Sequence, residues 1–154
     1  MNTFKFTTRT NRILAWGLVA LVACLIFYMS AKTGEQLDHN SGFLSTVKAW
    51  LAQCVAELFG HPVDVSPIGH FTEYFVFGAA LFNALRLHFS IPHCAWAAIA
   101  LASAYGITDE IHQIFVPTRT CDPMDWIVDT CAAACAVGLI LLIRTLKNRQ
   151  SKVQ

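Results

Sequence analysis

The stretch Asp109-Glu110-Ile111-His112-Gln113-Ile114-Phe115-Val116-Pro117-Thr118-Arg119 decides how this chain folds. Two acids, a histidine, a glutamine and an arginine are gathered in it. On its N-terminal side, residues 94–107 are apolar apart from Ser103. On its C-terminal side, residues 126–143 are almost entirely apolar. A loop on a water-soluble domain has no reason to place such chemistry between two segments that leave water. Ionisable groups at the ends of apolar helices cost several kcal/mol unless they are paired or hydrated, so they mark an interior pocket or a paired network.

The composition agrees. The chain has 154 residues, 55% hydrophobic and only 14% charged, with a mean hydropathy of +0.49. Soluble domains carry roughly a quarter charged residues. Here the charge is missing in blocks, which is the mark of an integral membrane protein. The net charge of +1 and the lack of any basic patch interleaved with aromatics exclude nucleic acid as a partner. Membrane lipids are the expected surroundings. Cys24, Cys94, Cys131 and Cys135 fall inside apolar segments, where cysteine acts as a small hydrophobe, and no C-x-x-C pair exists. Cys54 and Cys121 lie outside the spans and would pair only in an oxidising compartment.

Outward from the opening stretch, the boundaries are legible. Ser90-Ile91-Pro92 opens a span over about residues 92–108, and Asp122-Pro123 opens another over 124–144. Cap-and-proline starts of this kind suit a first helical turn, where the missing N–H is not needed. Ser66-Pro67 repeats the signal before a span at 68–87. Residues 13–29 are apolar behind a basic start, with Lys5, Arg9 and Arg12. Phe27-Tyr28-Met29 before Ser30 makes a poor cleavage site for a signal peptide, so this run reads as a retained first span. Between spans one and two, Leu44, Val47, Leu51, Cys54 and Leu58 recur by threes and fours, with Ser41 as the cap and Gly60-His61-Pro62 as the stop. That pattern predicts a short amphipathic interfacial helix over about 42–59. The predicted fold is an all-α membrane protein: one domain over 1–154, a bundle of four transmembrane helices with one interfacial helix.

Orientation follows from the lysines and arginines. Lys5, Arg9, Arg12, Arg86, Arg144, Lys147, Arg149 and Lys152 lie at the termini and the Arg86 turn; Lys32, Lys48 and Arg119 do not. The positive-inside rule then makes both termini cytoplasmic. The polar residues of three helices meet at the outer end. His70 and Glu73 come from the start of span two, Asp109, Glu110, His112 and Gln113 from the end of span three, and Asp125 and Asp129 from the start of span four. Tyr74 and Arg119 join them as candidate ligand-binding residues.

His70-x-x-Glu73 and Asp109-x-x-His112 are i, i+3 pairs on two helices. Facing carboxylate/histidine pairs are how helical bundles build metal sites. The four residues would suit a divalent metal such as Zn, activating water for a hydrolase or transferase reaction. The same four could instead act without metal as acid and base. Arg119 could hold a phosphate or carboxylate. Glu110, Gln113, Asp125 and Asp129 would line the ligand pocket. The competing expectation is a non-catalytic structural or interaction subunit whose polar network only fixes helix packing.

Four blocks carry a resemblance. They are Phe27-Tyr28-Met29-Ser30 with Gly34, Gly69-His70 with Glu73-Tyr74, the opening stretch itself, and Asp125-Trp126 with Asp129-Thr130. On these residues the chain resembles the VanZ-like family of small bacterial membrane proteins, over roughly residues 13–145. Thr118 stands where that family often has Gly, as does Ala132. The founding member is associated with resistance to the glycopeptide teicoplanin. The resemblance implies a multi-pass protein of the cytoplasmic membrane. An outward pocket taking an anionic envelope molecule, such as a lipid-linked phosphate or cell-wall precursor, is the functional expectation, with glycopeptide as a further candidate partner.

Overall fold

The computed structural model describes residues 2–33, 43–61 and 65–151. Five helices make up the described residues, with no strand among them: α1 (Asn2–Ser30), α2 (Phe43–Phe59), α3 (Ser66–Leu85), α4 (Ile91–Gln113) and α5 (Pro123–Gln150). Three are long and apolar enough to cross a membrane, over Arg9–Ser30, Ile91–Gln113 and Pro123–Gln150. α3 is not among them, because its first turns carry His70, Thr72 and Glu73 and its last carries Asn83. Yet α3 is the centre of the packing. It lies against α1, α4 and α5, and α5 also packs along α4, while α1 touches α4 only lightly.

The helix starts follow the sequence signals with one difference. Asp122 caps α5, its carboxylate accepting from the Met124 N–H at 2.8 Å. Ser90 takes the cap position of α4 in extended backbone, its hydroxyl bonded to His93 Nδ1 rather than to the backbone. At α3 the cap position falls to Val65 and the helix already includes Ser66, so no side-chain cap bond forms there. α4 runs on past residue 108 to Gln113, since nothing before Pro117 interrupts its backbone hydrogen bonds. α1 begins before the apolar run and α5 continues past it, both as polar, basic extensions. α2 occupies nearly the predicted range and stops at Gly60, whose φ of 73° is a left-handed conformation that glycine adopts without strain. Ser41 and Pro62 lie outside the described residues. Among the described residues, α2 packs against no other helix, leaving Trp50 and Leu58 exposed. Cys54 and Cys121 are both free, exposed thiols.

What joins the helices is smallness. On α4, Cys94, Ala98 and Ala102 are wholly buried and Gly106 continues their i, i+4 stripe. On α5, Ala132, Ala133 and Ala136 face inward with essentially no exposure. At the α3–α5 crossing, a β-carbon on Gly78 would stand 2.7 Å from the Ala133 Cα. Only glycine permits that approach. Without a hydrophobic driving force between helices in lipid, such close backbone packing is the main source of association. Larger side chains fill the spaces around it: Tyr74, Phe77, Leu81, Phe82 and Ile26. The outer surface is apolar in turn, with Leu14, Leu21, Leu25, Leu101 and Leu142 each about half exposed or more. A soluble monomer does not present such a continuous apolar surface.

Candidate functional site

The helices alternate in direction, so the start of α3, the end of α4 and the start of α5 come together at one end of the bundle. The stripe on α3 that contains Gly78 continues through Tyr74 to His70, four residues at a time. The stripe on α4 runs from Cys94 through Gly106 to Glu110 in the same way. Helix packing therefore carries His70, Tyr74 and Glu110 inward, while Asp129 arrives on the buried face of α5.

His70 sits between two carboxylates. Its Nδ1 lies 3.3 Å from Asp129 Oδ1 and its Nε2 3.6 Å from Asp125 Oδ2. His70 is 8% exposed and Asp129 not at all. Glu110 uses Oε2 to accept the Asp122 backbone N–H at 2.7 Å, which ties the loop at the head of α5 to the end of α4. Gln113 donates to Asp109 at 3.4 Å, and the Ser30 hydroxyl stands near Asp109 from α1. Tyr74 packs its ring against Phe77 and Tyr105. Glu73 is half-buried within reach of the charges of His70, Asp109, Asp129 and Arg119.

Many of these atoms have no hydrogen bond. His70 Nδ1, Tyr74 Oη, Glu110 Oε1 and both Asp129 oxygens are buried without a hydrogen bond, as are Ser30 Oγ and His112 Nδ1. The 3.3 Å approach of His70 to Asp129 is close but misdirected. Buried polar atoms are normally satisfied, because each orphan costs about 1–3 kcal/mol. Their concentration at one end of the bundle is the main observation about this site.

The structure regroups the residues singled out from sequence. His70, Glu110 and Asp129 come together, with one ligand atom from each within 4.8 Å of the others. Asp109 and Glu73 flank that group. His112 points elsewhere: its ring meets Phe27 of α1 at 4.3 Å between centroids. The reason is rotation about α4. At about 100° per residue, Glu110 and His112 are about 160° apart, so they cannot face one chamber. Arg119 is half-buried and, among the described residues, forms no ion pair with Asp109 or Asp125. Its position follows a turn in which Thr118 has φ 67°, an uncommon conformation for a β-branched residue.

A second polar group was not singled out from sequence. Trp126 Nε1 donates to the Ser103 hydroxyl at 3.0 Å and carbonyl at 3.2 Å, and Thr130 donates to the same hydroxyl at 2.9 Å. This latch joins α4 to α5 beside Asp129, on either side of which Trp126 and Thr130 lie in the chain. The lone serine in an otherwise apolar span was its signal. Near the rim, local desolvation and then the Glu110 charge push the Cys121 thiol above its ordinary value.

The VanZ/LLP1 family model matches residues 15–144. The chain belongs to the VanZ/LLP1 family. The match runs from the middle of α1 to near the end of α5 and takes in the chamber and the Ser103 latch of this VanZ/LLP1 protein. The chain matches no curated protein and no solved structure.

Proposed function

We propose that this VanZ/LLP1 protein crosses the bacterial cytoplasmic membrane four times, with both termini cytoplasmic. In this reading α3 is the fourth crossing: His70 and Glu73 are turned toward neighbouring helices and the exposed Thr72 bonds the Ile68 carbonyl of its own helix, so low hydropathy does not prevent it from spanning. The chamber then opens at the outer face, where it binds or modifies an anionic envelope molecule such as a lipid-linked phosphate or cell-wall precursor. An effect on glycopeptide susceptibility, teicoplanin included, would follow from acting on that class of molecule.

The orphaned polar atoms carry this reading. A network kept only to hold helices together would satisfy its members, since a half-satisfied network is worse than an apolar core. The charge balance divides the labour within the site. Glu73, Asp109, Glu110, Asp125 and Asp129 outweigh His70 and Arg119, so the deep part is unsuited to an anion. The anion sits at the mouth on Arg119, and the acids and His70 below it move protons or hold a cation. The competing reading, a structural network, draws on the His70 ion pairs and the Ser103 latch.

Binding distinguishes the two. The full chain in nanodiscs is expected to bind a short-chain polyprenyl phosphate. Arg119→Ala should weaken that binding by about tenfold or more, equivalent to about 1.4 kcal/mol, without loss of folded protein. Equal affinity in wild type and Arg119→Ala would remove the anion reading.

A further inference from the structure

We infer that His70, Glu110 and Asp129 form a divalent-metal site. Each carries a buried atom without a hydrogen bond, His70 Nδ1, Glu110 Oε1 and the Asp129 oxygens, although His70 Nδ1 and Asp129 Oδ1 face each other as an ion pair. These residues offer ligand atoms within 4.8 Å of one another. In a tetrahedral site with metal–ligand distances near 2.1 Å, ligand atoms stand roughly 3.4 Å apart. The 3.3 Å between His70 Nδ1 and Asp129 Oδ1 already has that value, at an angle that makes no hydrogen bond. The spacing is compatible with two ligands on one ion as well as with the ion pair. With the ligand atoms of all three residues within 4.8 Å of one another, a modest side-chain adjustment would close them on one ion.

The remaining atoms of the same residues are held from outside, as metal ligands usually are. His70 Nε2 faces Asp125 Oδ2 at 3.6 Å, which would orient the ring and leave Nδ1 free for the ion. Glu110 Oε2 is fixed by the Asp122 N–H, leaving Oε1. Asp129 is fully buried, so its charge has no water to meet. A dication offsets the two ligating carboxylates, a balance that a single protonated histidine would leave incomplete. One imidazole and two carboxylates suit Zn or Mn, and three protein ligands leave a coordination position open. The set differs from the sequence expectation of His70, Glu73, Asp109 and His112: it keeps His70 and takes Glu110 and Asp129 from the faces that packing turns inward. It does not depend on what binds at Arg119.

The test uses the full chain in nanodiscs, stripped with chelator and titrated separately with Co(II) and Zn(II). Wild type should take up one ion per chain, show the visible d–d bands of four- or five-coordinate Co(II), and melt at a higher temperature with Zn(II). His70→Gln and Asp129→Asn should abolish the bands, whereas His112→Gln should keep them. Asp125→Asn should weaken affinity by about 10–100-fold while the stoichiometry holds, as expected of a positioning residue. Failure of wild type to bind either ion would overturn the inference, and so would loss of the bands in His112→Gln with retention in His70→Gln. Polyprenyl phosphate binding that survives in metal-free protein would leave the Arg119 reading standing by itself.

Discussion

The two ends of this bundle are both polar, but in opposite ways. At the end that holds the termini, Arg12 donates to the Leu87 carbonyl at 3.2 Å, Trp16 to His88 at 3.2 Å, and Arg86 to Asn83 at 2.8 Å. Arg12, Trp16, Arg86 and His88 are exposed, Asn83 and Leu87 half-buried, and each has a partner. At the other end, His70, Asp109, Glu110 and Asp129 are buried, and several of their atoms have no hydrogen bond at all. Surface polarity with partners anchors a helix end at an interface. Buried polarity without partners destabilises a fold unless something else uses it. Burial and satisfaction, more than polarity, therefore separate anchor from site.

The difference between the ends can be tested by altering what holds each one. The largest effect is expected at Gly78, whose close approach to Ala133 sets the α3–α5 spacing that brings His70 to Asp129. Gly78→Ala should destabilise the chain by about 1–3 kcal/mol, because the obstructing atoms are backbone and cannot rotate away. Thermal unfolding in nanodiscs would read this as a lower melting temperature. An unchanged value would mean that the crossing is not rigid. A smaller effect of opposite sign is expected at Thr118, in the loop leading to Arg119. Relieving its positive φ with Thr118→Gly should stabilise the protein by about 1 kcal/mol, less the entropy that glycine adds to the unfolded chain. The smallest effect belongs to the opposite end. Arg86→Ala removes an exposed, hydrogen-bonded anchor and should change stability by less than about 0.5 kcal/mol. A larger loss there would weaken the contrast between the ends.

Much of this arrangement was legible before any coordinates. Apolar runs and proline starts located the helices, and the alternation of direction predicted that His70, Asp125 and Asp129 would meet. The rotation of α4 about its own axis was harder to see. An i, i+3 spacing made Asp109 and His112 look like partners, but packing buries Glu110 beside Asp109 and sets the His112 ring against Phe27. Its signal was present as the repeat Cys94, Ala98, Ala102, Gly106, Glu110, in which four small residues predict the buried face and the fifth extends it. Satisfaction of individual atoms was not legible, since it depends on angles such as the one that keeps His70 and Asp129 from bonding at 3.3 Å. α2 was readable as an amphipathic helix, while its lack of a packing partner among the described residues is a property of the tertiary structure.

The central claim is that the buried polar atoms serve binding rather than cohesion. Its most direct test is the melting temperature of Asp129→Asn against wild type, in nanodiscs with chelator present. The substitution keeps the shape of a fully buried side chain and removes one charge from an acid-rich chamber. If the chamber is kept for function, the melting temperature stays the same or rises. If the His70–Asp129 pair holds the bundle together, breaking it costs about 3–5 kcal/mol and the melting temperature falls by about ten degrees, which would contradict this account.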